Sequence, residues 1–289
     1  MKRTMLFLPG NNPNMLINGA YLGSDSIIFD LEDAIAPDEK DSARILVRHA
    51  LTSMDYSPCR VIIRINSLDT EYWENDVEAM LPLKPDILMP TKVSGKDYII
   101  KLVEKMQQVE AATGCGCATT LMPLIETALG LENSFEIATA HERVSAIYLG
   151  GEDLTADLRC KRTKEGNEIS YARYRIVNAA RAAGVDVYDT PFTDIDDLDG
   201  LRRDAEFAKS LGFTGKAVIS PRHVDCVNEI FSPSLADIEY AHCVFAAIEE
   251  AKKQGKGAIS LNGKMIDAPI VERARIVLEA AAELNGGTQ

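Results

Sequence analysis

Charged residues recur directly after short apolar runs. Ser26–Phe29 leads into Asp30-Leu31-Glu32-Asp33, and Val61–Ile63 leads into Arg64-Ile65-Asn66. Lys92 follows a third run, Glu126 a fourth, and Gly150-Gly151-Glu152-Asp153 a fifth, while a last run ends in Ser220-Pro221-Arg222. If these runs are strands of one sheet, their ends collect several carboxylates at one place. Such a cluster repels itself unless something positive sits inside it. A hard cation with oxygen ligands answers that need, and Mg2+ takes one or two protein carboxylates while keeping positions open for substrate; Mn2+ can replace it. Arg64 is buried in sequence among apolar neighbours, where a guanidinium is costly unless an anion pairs with it. That anion is either a substrate or a structural carboxylate. Bland readings stand beside the others too: Asp33 as a helix cap or surface-loop residue, and Glu152 with Asp153 as caps of a short helix over Leu154–Leu158.

The elements that must position these residues alternate. Strands are expected over Thr4–Leu8, Ser26–Leu31, Val61–Asn66, Asp86–Pro90, Thr120–Ile125, Val144–Leu149, Val185–Asp189 and Lys216–Ser220. Helical patterns lie between them, as in Glu39–Met54, Lys96–Thr113, Ser170–Ala183 and Leu198–Leu211. This β-α alternation implies a parallel sheet, and its length suits a closed (β/α)8 barrel, a TIM barrel, better than an open doubly wound sheet. The runs bearing charged residues then share one mouth, because chemistry in such barrels sits at the C-terminal strand ends. No GxGxxG follows a strand, which counts against a dinucleotide site. After Pro233 the rhythm changes. Residues 1–233 are expected to form the barrel, and 234–289 a C-terminal extension that closes it and serves as lid or oligomer arm. In the extension, helices are expected over Ala236–Lys253 and Ile270–Leu284, flanking a hairpin-like segment over 255–269.

Composition narrows the classes. Of 289 residues, 46% are apolar, enough for a sizeable core. Lys plus Arg number 31 against 44 for Asp plus Glu, a net charge of -13, which argues against nucleic acid as a partner. No apolar run is long enough to span a membrane, and the N-terminal MLFLPG meets Pro9-Gly10 too early for a signal peptide. The six cysteines show no disulfide spacing, and Cys115-Gly116-Cys117 lacks the further ligands a zinc site needs. A reduced, cytoplasmic protein is the default.

These residues also carry a family likeness. MLFLPG, then IIFDLEDAIAPDEKDSAR, RIN, LIET, GGEDL and GFTGKAVISPRHV together resemble the citrate lyase beta and malyl-CoA lyase family of barrel lyases, the HpcH/HpaI aldolase-like enzymes, over nearly the whole chain. EKDSARILVRHAL, RINSLDTEYWENDVEAM, RTKEGNEISYARYRIVNAARAAG and SLNGKMIDAPIVERARIVL look most like the citrate lyase beta branch. The resemblance implies that Glu126 and Asp153 hold Mg2+ and that Arg64 contacts substrate, with Glu126 also at the substrate. It further implies that Asp267 reaches a neighbouring subunit's site in a trimer-based oligomer. Two departures stand out. The family's Pro-Lys after the fourth strand is here Pro90-Thr91-Lys92, and its Ile-His-Pro or Ile-Asn-Pro is here Ile219-Ser220-Pro221. Lys92 and Ser220 therefore stay outside the expected catalytic set.

The activity so implied is retro-Claisen cleavage of a citryl thioester to oxaloacetate and an acetyl thioester. Arg64 would stabilise enolate charge, and a carboxylate such as Asp267 would move the proton. Asp30, Glu32 and Asp33 would orient Arg64 or hold water around the metal. The thioester is expected on an acyl carrier protein, with separate alpha and gamma (carrier) subunits as partners, because the stretch Asn11–Gly19 lacks any cation to hold CoA phosphates. The alternative is a malyl-CoA or citramalyl-CoA lyase using the free CoA ester.

Overall fold

A computed structural model describes residues 2–116, 118–253, 260–261 and 263–286. Two compact units make up the chain, one over Lys2–Glu229 and one from Ile230 onward.

The first unit is α/β. Its nine parallel strands are β1 Thr4–Pro9, β2 Ser26–Asp30, β3 Arg60–Ile65, β4 Ile87–Pro90, β5 Thr120–Leu121, β6 Leu124–Ile125, β7 Ala146–Leu149, β8 Asp186–Asp189 and β9 Gly215–Val218. They lie in the order β5-β4-β3-β2-β1-β9-β8-β7-β6. The two end strands are halves of the single run expected over Thr120–Ile125, interrupted at Met122-Pro123. The interruption has a reason: Pro123 has no N–H to give a ladder. Hydrogen bonds continue on both sides of the break. Met122 N donates to Leu88 O (3.0 Å), Tyr148 N to Pro123 O (3.0 Å), and Leu121 bridges Val144 in parallel. The sheet is therefore strongly curled and TIM-barrel-like.

Alternation along the strands decides what faces the inside of the curl. Met5, Ile28, Ile62, Ile87, Met89, Met122, Leu124, Ala146, Tyr148, Tyr188 and Ala217 form one buried cluster, with Phe7 against it. Side chains of a strand point to one face with period two. Two residues beyond Ile28, Ile62, Leu124, Tyr148, Tyr188 and Ala217 come Asp30, Arg64, Glu126, Gly150, Thr190 and Ile219, so the apolar core ends in a polar rim.

Residues of the opposite parity face the helices. Helix Leu198–Leu211 opens with Asp197 as cap, its carboxylate accepting Gly200 N at 2.8 Å, and buries Leu201, Asp204, Ala205 and Ala208 on one stripe. Asp204 and Arg173, the latter from helix Ser170–Ala183, meet Asp189 of β8 and Lys216 of β9 in a quartet. Arg173 Nε and Nη2 hold the two oxygens of Asp189 at 3.0 and 2.9 Å, and Nη2 reaches Asp204 at 2.7 Å. Lys216 Nζ stands 2.6 Å from both Asp189 and Asp204. Arg173, Asp189 and Lys216 are wholly buried. Two cations match two carboxylates, so the quartet is neutral as a whole.

The second unit pairs helices Leu235–Lys253 and Ala268–Gly286 around Ala241, Val244, Ile266 and Ala274. A short antiparallel hairpin, β10 Ser260–Leu261 with β11 Lys264–Met265, lies within the segment expected to be hairpin-like; residues 255–259 and 262 of it lie outside the described residues. Among the described residues no helix is long and apolar enough to cross a membrane. Cys117, half of the Cys-Gly-Cys pair, also lies outside the described residues, and Cys115 is a free thiol.

Removing one member of the quartet leaves the other charges buried and unbalanced. Arg173→Met is expected to lower folding stability by about 3–5 kcal/mol, read from urea denaturation. A loss close to zero would show the network to be dispensable.

Candidate active site

A cavity of ≈ 410 Å³ opens at the C-terminal strand ends, lined among others by Phe7, Asp30, Arg64, Glu126, Tyr148, Asp153 and Thr190. Seven elements supply these side chains, most of them far apart in sequence and adjacent only because the sheet curls.

Asp30 and Arg64 are register partners on β2 and β3. Arg64 Nε and Nη2 donate to the two oxygens of Asp30 at 2.7 and 2.5 Å, a fork-to-fork pair. Asp30 also accepts Glu32 N (2.8 Å) and Ala34 N (3.1 Å), so its carboxylate folds the following turn back onto itself. Arg64 Nη1 stands 3.3 Å from Glu32 and 3.6 Å from Asp33, and the guanidinium lies 5.0 Å from the Phe7 ring centroid. Burial opposes its charge, but Asp30, Glu32 and Asp33 outweigh that and raise its pKa far above the usual value. Both readings of Arg64 thus meet in one residue: it is ion-paired, and it lines the cavity.

The turn after β2 is held from below. Lys40 Nζ donates to Leu31 O (3.0 Å) and Glu32 O (2.7 Å). Glu32 is buried, its two oxygens shared between Lys92 Nζ (3.2 Å) and Arg64. Asp33 is half exposed at the cavity edge, a loop residue that also contributes charge to Arg64.

Glu126 follows β6 and is 2% exposed. Its Oε1 accepts the backbone N–H of Lys92 at 2.7 Å. Lys92 takes φ 56 to present that N–H, a left-handed conformation uncommon outside glycine. Lys92 therefore serves Glu126 through its backbone and Glu32 through its side chain, a double role its one-residue shift in the sequence concealed. Burial first, then the charges of Asp153 and Glu32, push the Glu126 carboxyl well above the usual carboxylate range; Lys92 N–H and Arg64 only partly oppose this. A buried carboxyl so short of positive charge, facing a second carboxylate, fits a divalent cation.

Asp153 stands in the first turn of helix Gly151–Asp157, which Glu152 and Asp153 open in place of the Leu154–Leu158 helix expected from sequence. Glu152 turns toward Arg162 (3.3 Å). Among the described residues no three His, Cys, Asp or Glu side chains form a ready metal cage. Mg2+ does not require one, since it keeps several waters and takes one or two carboxylates. Gly150 makes the close approach possible: a Cβ there would lie 2.7 Å from Glu126 Cβ and 2.8 Å from its Oε2.

Of the residues singled out in the sequence, Asp30, Glu32, Asp33, Arg64, Glu126 and Asp153 come together. Asp267 lies in the second unit, exposed, its Oδ1 accepting Ile270 N at 3.1 Å as a helix cap. Ser220 caps its own short turn, accepting Arg222 N at 3.3 Å, and Arg222 pairs with Asp196 at 2.7 Å on the surface. Sequence reasoning passed over Thr190, although it sits two residues past the inward Tyr188, and over Lys216 and Asp189, which stand on the helix-facing parity.

A curled parallel sheet with paired carboxylates and a tethered guanidinium at its C-terminal mouth defines an α/β protein of the enzyme type whose site fits a divalent cation. The chain belongs to the HpcH/HpaI aldolase/citrate lyase family, whose model matches residues 3–221. It is 44% identical to the citrate lyase subunit beta of Leuconostoc mesenteroides subsp. cremoris, over 97% of this chain and 93% of that one. It is 40% identical to the citrate lyase subunit beta of Haemophilus influenzae, over 97% of each. Its structure is similar to that of CitE from Mycobacterium tuberculosis in complex with magnesium, acetoacetate and coenzyme A, with TM-score 0.79, 29% identity, and 97% of this chain and 98% of that one covered.

Gly150→Ala is expected to leave the fold intact but force Glu126 aside, weakening Mn2+ binding by about 10-fold or more, measured by electron paramagnetic resonance. Binding equal to that of the unsubstituted protein would show the close approach to be incidental.

Proposed function

We propose that this protein is the lyase subunit of a citrate lyase: a (β/α)8-barrel enzyme with a C-terminal extension that splits a citryl thioester into oxaloacetate and an acetyl thioester. The single observation that carries the reading is the buried Glu126 brought together with Asp153 and Arg64 in the lining of one cavity. Glu126 and Asp153 would hold Mg2+, which when bound would supply Lewis acidity at the reacting end of the substrate.

The residues divide the remaining work. The bond between C2 and C3 of the citryl group breaks as the 3-hydroxyl loses its proton and becomes the ketone of oxaloacetate. The electron pair passes to the thioester carbonyl as an enolate, and a proton returned to carbon yields the acetyl thioester. Arg64, locked by Asp30 and flanked by Phe7, is preorganised to donate to the enolate oxygen, so little reorganisation is needed as charge develops. Asp30, Glu32 and Asp33 hold that guanidinium in place rather than touch the substrate. Asp267 is assigned the proton transfer, reaching the site of a neighbouring subunit in a trimer-based assembly.

The carrier is assigned as an acyl carrier protein, with alpha and gamma subunits beside this one. Asn11–Gly19 offers no cation for CoA phosphates, and Asn11 Nδ2 donates to a carboxylate, Glu39, at 2.6 Å.

Two measurements test the reading. Citryl carrier protein, assayed with its partner subunits, is expected to give a higher kcat/KM than citryl-CoA. Glu126→Ala and Asp153→Ala are each expected to abolish Mg2+-dependent cleavage of both. Full turnover in either variant would remove the metal assignment, and preference for the CoA ester would remove the carrier.

Asp267→Asn keeps the helix cap, since Asn caps as well as Asp, but removes the charge. Each of Asp267→Asn and Arg64→Ala alone is expected to be inactive. Mixing the two proteins under subunit exchange should restore part of the activity, because one site in the mixed oligomer then holds both residues. Mixtures that exchange and stay inactive would place Asp267 outside the site.

A further inference from the structure

We propose that Thr190 is a positioning residue that sets the separation of Glu126 and Asp153 through the Gly150-Gly151 turn, an inference that rests on the metal reading of those two carboxylates. The turn is gripped from two sides. On one side Gly150 packs on Glu126, with no room for a Cβ, and its N–H donates to Ile125 O at 2.9 Å. On the other side a Cβ on Gly151 would lie 2.8 Å from Thr190 Oγ1 and 3.1 Å from its Cγ2. Gly151 N donates to Thr190 Oγ1 at 3.0 Å, a buried bond that satisfies one of the free N–H groups at the start of helix Gly151–Asp157. Asp153 is two residues further on, in the first turn of that helix. A shift of Gly151 away from Thr190 therefore moves Asp153 relative to Glu126.

Thr190 can serve as a fixed reference because it is itself held. It is 1% exposed, and its carbonyl accepts Lys216 Nζ at 2.6 Å. Lys216 belongs to the buried quartet with Arg173, Asp189 and Asp204. Buried ion pairs are weak stabilisers compared with apolar packing of the same volume. What this one does provide is direction: a wholly buried ammonium between two carboxylates fixes the backbone of residue 190 in one place. The relay runs from the quartet to the Thr190 carbonyl, from the Thr190 hydroxyl to the Gly151 amide, and from there to Asp153.

The test compares Mn2+ binding, by electron paramagnetic resonance, in Thr190→Val, Thr190→Ala and Thr190→Ser. Valine keeps the shape and loses the acceptor; serine keeps the acceptor and loses the methyl. All three leave the backbone carbonyl that Lys216 grips. T190V and T190A are expected to bind Mn2+ about 10- to 100-fold more weakly, and T190S close to the unsubstituted protein, with thermal midpoints showing that each is folded. If T190V does not fold, T190A carries the same comparison. Unchanged binding in the valine and alanine variants overturns the proposal, as does an equal loss in all three, which would trace the effect to packing. Glu126→Ala, run alongside, separates the two ideas: Mn2+ binding unaffected by that change would refute the metal reading itself, whatever the Thr190 variants do.

Discussion

Period-two alternation in a curled parallel sheet is the constraint on which everything else in the first unit depends. A curled sheet has an inner face that must be filled, and the inward residues of the strands fill it with Ile, Met, Leu and Tyr. Two residues further along the same strands the filling stops and the site begins. Asp30, Arg64, Glu126, Gly150 and Thr190 all stand on that next inward step. A slip of one residue in any strand would turn its contribution into the helix layer. The register pairing of Asp30 with Arg64 is therefore both a sheet contact and a piece of the site.

Electrostatics divides the molecule along the same boundary. In the helix layer, charges are closed: Arg173 and Lys216 balance Asp189 and Asp204, all four at or near full burial. At the cavity mouth the balance is left open. Asp30, Glu32, Asp33, Glu126 and Asp153 outnumber the cations beside them, Arg64, Lys92 and, beneath the turn, Lys40, and the cost falls on Glu126 and Glu32, whose carboxyls are raised chiefly by burial. An unbalanced buried carboxylate is costly as structure and useful as a ligand. The contrast between a neutral quartet and an acidic mouth separates framework from chemistry more clearly than burial alone, since Asp30, Glu32 and Glu126 are buried as the quartet is.

Much of this was legible in the chain. Short β-branched runs alternating with helical stretches announced a parallel α/β sheet, because each strand needs a crossover to return in the same direction. Strand boundaries fell within a few residues of those observed, with one exception. The run over Thr120–Ile125 is broken at Met122-Pro123, where proline cannot serve the ladder. The candidate site residues were legible for a physical reason: a carboxylate or guanidinium following an apolar strand is conspicuous, and the C-terminal end of a parallel strand is where such a residue meets others.

What the chain alone determined, then, was element type, order, and the identity of the charged groups at the strand ends, all properties of local periodicity. What only the tertiary structure decided was partnership. Nothing in the sequence says that the Lys92 backbone, rather than its side chain, supports Glu126, because that follows from a left-handed turn. Nothing marks Thr190 as the acceptor for Gly151, 39 residues away. Lys216 is, in the sequence, only the first residue of an expected strand; its complete burial between β8, β9 and two helices is set by the packing. Periodicity reports which face a residue takes; the distances that make a site are set where separate segments meet, and those depend on how the sheet curls and the helices pack.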